Sequence, residues 1–488
     1  MITRKTLDAL PEGVHGPAYD IGSVTPGIVH FGVGNFFRAH QAYYVDRAMA
    51  LPGASLDWGI IGVGLTAGER SERKARTFRE QDCLYSLTET AASGESHVSI
   101  IGALRGYELA PGGETAVLDT LVSPAIRIVS MTITEGGYNI DENTGQFRLD
   151  TDAVRHDLAN PDKPRTIFGF VVEALRRRRE AGHGAFTVMS CDNLRHNGDV
   201  AKRAFLGFAK ARDADLAAWI EANATFPNGM VDRITPTVSG AIARRLNDAS
   251  GLDDELPLVA EDFTSWILED RFCAGRPPLE KVGVKFVPDV TPYEHIKIRI
   301  LNASHIMLAF PGILLGYEHV HEALADPDLK AMLSAYLDKD VLPQIEAPAD
   351  VNLQQAKEQV LSRFSNAAMA DQLLRVGSDG CSKVQVFWTE TVRRSLQAHH
   401  DLSRIAFGIA VYLEVLCGHD ERGGTFELSE PTYTDKDRAL AKDSDLAAGL
   451  KLPAFDAWRD LDHAKLDAAV VEARRTIREK GVKAALPR

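Results

Sequence analysis

The chain has 488 residues, of which 45% are hydrophobic and 25% charged, and it carries a formal net charge of −13. That length exceeds what one ordinary core organises, so two or three domains are expected, and the composition excludes a disordered or fibrous chain. The surplus of acid disfavours nucleic acid and anionic membrane surfaces as partners, which leaves small molecules.

Five cysteines, Cys83, Cys191, Cys273, Cys381 and Cys417, stand without a C-x-x-C spacing, and their odd number argues against a disulfide framework. A reducing, cytoplasmic setting is expected. The first residues lack the apolar core of a secretory signal, and the longest apolar run, Ile306 to Tyr317, is too short to cross a bilayer and contains Pro311.

Gly-Ile-Val-His-Phe, 27–31, reads as a buried strand that ends in Gly32-x-Gly34, with a helix predicted from Phe36 to Met49. Strand, glycine turn and helix start together suit a phosphate: glycines let the backbone approach it and free N–H groups point at it. Gly32, Gly34, Asn35 and Phe36 are therefore candidate cofactor-binding residues. Phe37 occupies the place of the third glycine of the dinucleotide fingerprint, so a tight turn without a ligand stays open as an alternative. A second strand, Trp58 to Val63, runs into Gly62-x-Gly64. Glu69 beyond it is the candidate for the adenosine ribose, where its charge would repel a 2′-phosphate and favour NAD; a solvated loop glutamate is the other reading.

Further strands are predicted over Leu84 to Thr88, Val98 to Leu104, and Ile126 to Ile133, the last ending in Thr134-Glu-Gly-Gly-Tyr138. A helix from Thr166 to Glu180 ends in four arginines, which suits the negative end of a helix dipole better than a nucleic-acid patch. A strand over Phe186 to Ser190 stops at Cys191-Asp192-Asn193, and a helix is predicted from Val200 to Ala222. Beyond Pro292 the texture changes to helical patterns over 293–316, 327–343, 353–374, 383–398, 402–417 and 455–480. The reading is an α/β fold: a Rossmann-like N-terminal domain over 1–287, a mainly α-helical C-terminal domain over 288–488, and a ligand cleft between them.

Within 293–310, Lys297, Asn302, His305 and Glu294 fall on one broad face of an otherwise apolar helix, at roughly 100° per residue. A lysine in such a setting must be paired, open on a cleft, or lose its charge.

Five segments resemble the polyol-specific long-chain dehydrogenases: Gly32-x-Gly34-Asn-Phe-Phe-Arg-Ala-His40, Thr134-Glu-Gly-Gly-Tyr138, Ser190-Cys-Asp-Asn193, Pro227-Asn-Gly-Met-Val-Asp-Arg-Ile-Thr-Pro236, and Lys297-x4-Asn302-x2-His305. The resemblance implies a metal-independent, NAD-dependent oxidation of a sugar alcohol to a ketose, such as D-mannitol to D-fructose, with D-arabinitol or D-sorbitol as further substrates. It implies Lys297 as general base, Asn193 and Asn302 as holders of the alkoxide, and His305, Asp232, Arg375 and Lys383 as ligands of the substrate hydroxyls. A monomer is expected.

The chemistry of the residues agrees. Hydride leaves a secondary carbinol readily only if the O–H proton departs with it, so a base must touch that oxygen. Neutral lysine can serve, and two amide N–H groups can stabilise the alkoxide as an oxyanion hole does. Glu294, one turn away, is a candidate to pass the proton to water. Lys297 as a paired lysine, His305 as a core histidine and Asn193 as a helix cap are the plain alternatives. A zinc enzyme would need ligands converging on one point, which His319-x-His321 and His399-His400 do not provide on one helical face. A hexuronate reductase, in which Arg375 and Lys383 pair a substrate carboxylate, and a silent NAD- or sugar-binding protein are the functional rivals.

Overall fold

The computed structural model describes residues 1–141 and 144–487. It divides into two compact units, the first comprising Met1–Ala91 and Glu95–Thr291, the second Ala92–Gly94 and the chain from Pro292 onward.

The first unit is built on five parallel strands, β1 (Pro26–Phe31), β2 (Gly59–Gly64), β3 (Leu104–Leu109), β4 (Ile128–Met131) and β5 (Thr187–Ser190), in the order β3-β2-β1-β4-β5. This is the doubly wound Rossmann arrangement. β4 and β5 are buried along their whole length, and such strands, covered on both faces, read as continuous apolar runs. The order reverses beside β1, and in such sheets ligands bind outside the carboxyl ends of the strands at that point. Two smaller sheets complete the unit: a four-stranded one of Val14–His15, Ser96–Ile101, Tyr85–Thr90 and Leu258–Glu261, and a three-stranded one of Lys285–Val287, Ser265–Glu269 and Gly229–Asp232.

Three sequence boundaries in this unit need correction. The helix after the glycine turn is two helices, α1 (Asn35–Ala39) and α2 (Gln41–Met49), broken at His40, whose φ of −123° and ψ of −84° are not helical. The His40 ring is held by the Ser265 carbonyl, 2.9 Å from Nε2, and lies against Tyr44 and Trp266. The expected strand from Val98 to Leu104 is instead two strands in different sheets, parted at Gly102, whose N–H donates to Asp46. The expected helix from Val200 to Ala222 breaks at Asp213, whose carboxylate caps Ala214–Asn223 by accepting from the Asp215 and Leu216 N–H groups.

The second unit is helical. α4 (Thr291–Ile296) runs through a π-helical turn, Lys297–Asn302, into α5 (Ala303–Leu314). The pattern expected over 353–374 yields a helix only over Leu353–Phe364; the chain then turns through Ala370, at φ +44°, before α6 (Leu373–Gly377) and α7 (Gly380–Phe387). Two further helices, α8 (Ser403–Val415) and α9 (Ala464–Lys480), close the core. Every residue of α5 except His305 is buried, and Phe310 packs against Trp388 and Tyr412. Wholly buried Arg474 on α9 donates to Glu414 on α8 at 2.7 Å and to the carbonyls of Leu446 and Ala441. A buried cation satisfied in this way fixes how the two helices pack. Among the described residues, no helix is long and apolar enough to cross a membrane.

Candidate active site

In the first unit the glycine turn is fixed from beneath. Gly32 has φ +89°, a conformation open to glycine, and a Cβ there would lie 2.0 Å from the Thr132 carbonyl oxygen. Thr132 Oγ1 donates to the Gly32 carbonyl at 2.6 Å. His30 Nδ1 lies 2.8 Å from Ser130 Oγ and its Nε2 3.1 Å from Thr132 Oγ1, and Ser130 donates to Gln41 at 2.9 Å. Burial holds the His30 imidazole neutral, with its pKa pushed down to about 3. Its ring stacks on Phe37 at 3.7 Å. A buried network of this kind rigidifies the backbone above it.

On its other side the turn faces open space: a Cβ on Gly34 would meet nothing nearer than the Gly32 carbonyl at 3.9 Å. The Asn35 side chain is engaged within the protein, donating to Pro236 O and accepting from Arg38, and Phe36 stacks on His40. What Asn35 and Phe36 can offer a ligand is therefore backbone and ring edge. Glu69 is the first residue of α3 (Glu69–Glu80), exposed, with Arg73 3.5 Å from its carboxylate. Lys74, in the next turn of α3, donates to the Val33 carbonyl inside the glycine turn.

The loops after β4 and β5 are tied together by Asp192. Its carboxylate accepts from the N–H groups of Ile133 and Thr134, at 3.0 and 2.9 Å, and from the Tyr138 hydroxyl at 2.7 Å. Asn193 follows directly and is exposed. The N-cap of the next helix is His196. Asp232 ends the Gly229–Asp232 strand opposite Ser265. Its neighbour Arg233 is buried, donating to Glu89 at 2.5 Å and to the carbonyls of Ala39 and Glu261. Polar residues in this segment thus divide into one that holds the fold and one, Asp232, that is half-buried.

In the second unit, from Ile296 to Leu314, every residue is buried except Lys297, Ile298, Asn302 and His305. The helix is not regular, which corrects the azimuths drawn from a uniform 100° step. Lys297–Asn302 is π-helical, and its i to i+5 repeat brings Asn302 toward the azimuth of Lys297 instead of roughly 140° away. Arg299, on the buried side of this turn, anchors it by donating to Gln344 and to Thr391 Oγ1. Glu294 is buried one turn before Lys297.

His305 stacks on Phe364 at 4.6 Å, and its Nε2 lies 3.3 Å from Asp371 Oδ2. Neither of these two buried atoms has an aligned hydrogen-bond partner among the described residues. Burial pulls the His305 pKa down, against the opposing effect of Asp371. Burial would raise the Asp371 carboxyl, but His305 and Arg375 outweigh it and hold the pKa at about 2. Arg375 on α6 donates to Asp371, and Lys383 on α7 donates to the Val376 carbonyl at 2.9 Å. The unit therefore gathers His305, Arg375 and Lys383 around Asp371. Sequence reasoning passed over Asp371, because an acid in a loop before a short helix carries no periodic signal.

Comparison with known proteins follows the same division. Residues 26–281 match the mannitol dehydrogenase Rossmann domain and residues 289–477 the mannitol dehydrogenase C-terminal domain. The chain belongs to the mannitol dehydrogenase family. It is 65% identical to the polyol:NADP oxidoreductase of Gluconobacter oxydans over the full length of both chains. A crystal structure of D-sorbitol dehydrogenase in substrate-free form matches all of both chains with a TM-score of 0.96 at 65% identity. Mannitol 2-dehydrogenase of Pseudomonas fluorescens, in a ternary complex with NAD and D-mannitol, matches with a TM-score of 0.87 at 42% identity, covering 99% of this chain and 98% of that one.

The first unit of this mannitol dehydrogenase family member fits a dinucleotide: a rigid turn, open space above Gly34, and a lysine directed at the turn with no ion pair among the described residues. Among the described residues, no cluster of three or more His, Cys, Asp or Glu side chains is arranged to hold a metal ion.

Proposed function

We propose that this chain oxidises a sugar alcohol at a secondary carbinol to the ketose, D-mannitol to D-fructose with D-sorbitol and D-arabinitol as further substrates, using NAD. The carrying observation is that, between Ile296 and Leu314, the residues left unburied are Lys297, Asn302 and His305 together with Ile298, all three polar residues of the site among them. The relative solved with NAD and D-mannitol supports the substrate class and the cofactor.

The bound nicotinamide ring supplies the hydride acceptor. Gly32, Gly34, Asn35 and Phe36 hold the dinucleotide through the turn, and Glu69 faces the adenosine ribose. Lys297 Nζ, neutral, takes the hydroxyl proton as the C–H bond breaks, so that the carbinol oxygen is never required to carry both charge and proton. The side-chain amides of Asn193 and Asn302 donate N–H to that oxygen as negative charge develops on it. His305, Asp371, Asp232, Arg375 and Lys383 bind the remaining hydroxyls. The open valences of His305 Nε2 and Asp371 Oδ2 suit a hydroxyl, which donates to one and accepts from the other.

Rates of NAD reduction over a panel of hexitols and pentitols, set beside fructuronate reduction, test this reading; activity confined to the hexuronate would reverse it in favour of the carboxylate role of Arg375 and Lys383. Full activity after exhaustive chelation is expected, since the base and the oxyanion donors are side chains. Replacing Asp371 with asparagine should raise the KM for polyol about tenfold and change kcat little, because a hydrogen bond made equally to substrate and transition state affects binding alone. Glu294→Gln should slow proton release and shift the pH profile of kcat if Glu294 passes the Lys297 proton to water; an unchanged profile rules that route out. The unpaired cysteines suit a reducing cytoplasm, and the chain functions as a monomer; sedimentation velocity checks the latter.

A further inference from the structure

The mechanism uses Asn193 but not the acid before it. Asn193 is the exposed middle residue of a three-residue turn, closed by the Leu194 N–H donating to the Asp192 carbonyl at 2.9 Å. That carbonyl also accepts from the side-chain amide of Asn197 at 3.0 Å. Asn197 is wholly buried, and its amide is tied in both senses to Gly229, donating to the carbonyl and accepting from the N–H at 2.9 Å each. The Asp192 backbone is therefore fixed from the β5 side.

Its side chain is fixed from the β4 side. The carboxylate is buried, and besides the Tyr138 hydroxyl it accepts from two successive backbone N–H groups, Ile133 on one oxygen and Thr134 on the other. Tyr138 in turn meets Ser190, the last residue of β5. Thr134 has φ +63°, a conformation that a β-branched residue rarely adopts and holds only where its surroundings enforce it. A carboxylate suits this place by its chemistry. It is acceptor-only on both oxygens, whereas an amide in either orientation presents N–H to one of the two backbone donors. Burial raises the Asp192 pKa, and the Tyr138, Ile133 and Thr134 donors oppose that rise.

We propose that Asp192 is the positioning residue for Asn193: its carboxylate holds the β4 loop, and its backbone carries the turn that presents the Asn193 amide to the carbinol oxygen. This rests on the role given to Asn193 above. Because that amide is needed as charge develops, loosening it lowers kcat and leaves KM nearly unchanged. Asp192→Asn is expected to lower kcat for polyol oxidation at least about tenfold, the scale on which an outer partner of a reacting group acts, with KM and dinucleotide affinity within about twofold of the parent. The deciding measurement is a double-variant cycle in kcat with Asn193→Ala. Since Asp192 acts through Asn193, the variant carrying both Asp192→Asn and Asn193→Ala should be within about threefold of Asn193→Ala alone. Losses that multiply would overturn the proposal, because a general loosening of the fold or a direct part in proton transfer does not depend on the Asn193 side chain. Tyr138→Phe keeps the carboxylate and both backbone contacts while removing one donor. It should lower kcat about fivefold in the parent, the worth of one hydrogen bond, and leave it unchanged in the Asn193→Ala background. The Tyr138→Phe cycle decides the matter if Asp192→Asn does not fold. An undiminished kcat in both Asp192→Asn and Tyr138→Phe would also overturn the proposal, while the role of Asn193 stands. If Asn193→Ala itself leaves kcat unchanged, the role given to Asn193 falls, and the proposal with it.

Discussion

Lys297→Ala is expected to lower turnover by about a hundredfold to ten-thousandfold, the range over which a positioned general base contributes, while dinucleotide binding stays intact. The lysine lies on the half-exposed face of the π-helical turn, and Arg299 anchors that turn from its buried side. Removing the Lys297 side chain therefore leaves Ile300 and Leu301, the buried residues that hold the helix, in place. Lys297→Arg should fail to rescue, because a guanidinium does not release its proton in the working range and cannot accept one from the carbinol. Steady-state rates with a saturating polyol, alongside a fluorescence titration of the dinucleotide, separate the two effects. Retention of more than about a tenth of the parent rate in the alanine variant would remove Lys297 from the role of base.

Alanine at Gly32 and alanine at Gly34 should have opposite signatures although the residues are two apart. At Gly32 the added methyl would lie 2.0 Å from a backbone oxygen at a φ of +89°, so the turn must move and the network of Thr132, His30 and Ser130 beneath it must break. A stability loss on the order of 3 kcal/mol is expected, the scale of a strained backbone position with broken buried hydrogen bonds, with loss of dinucleotide binding. At Gly34 the methyl meets no protein atom within 3.9 Å, so stability should change by less than about 0.5 kcal/mol. It does fill the space a dinucleotide backbone would need, and affinity should fall more than about tenfold. Denaturant unfolding and calorimetric titration of the two variants decide the matter. Unchanged affinity in the Gly34 variant would mean that the dinucleotide does not approach the turn on that side.

The division into a Rossmann-like half and a helical half was legible because apolar runs of strand length give way to helical periodicity near Pro292. The site residues on α4, the π turn and α5 were legible because polar side chains interrupt an apolar pattern. Other features left no such trace. His40 breaks a helix because Ser265, far along the chain, accepts from its ring, and no local propensity records that contact. Asp213 was hidden inside a good helical pattern because capping residues and exposed helical acids look alike. Asp371 and Asp192 matter through what surrounds them in space. Glu69 was visible as an acid near a strand end, but its pairing with Arg73 one turn on was not read from the sequence.

The π turn also sets how this helix tolerates changes in length. A π turn is an α-helix that holds one residue more than its hydrogen bonds require, so removing one residue between Lys297 and Asn302 allows a regular helix to form. The backbone would close without a gap, and because four residues of α-helix sweep nearly the same angle as five of π-helix, Asn302 and His305 would keep roughly their azimuth relative to Lys297. Substitutions within the turn test single groups, whereas a one-residue deletion there tests the π turn itself while the flanking groups stay in phase. The extra residue at 297–302 is therefore absorbed locally, and the phase of Asn302 and His305 against Lys297 does not depend on it.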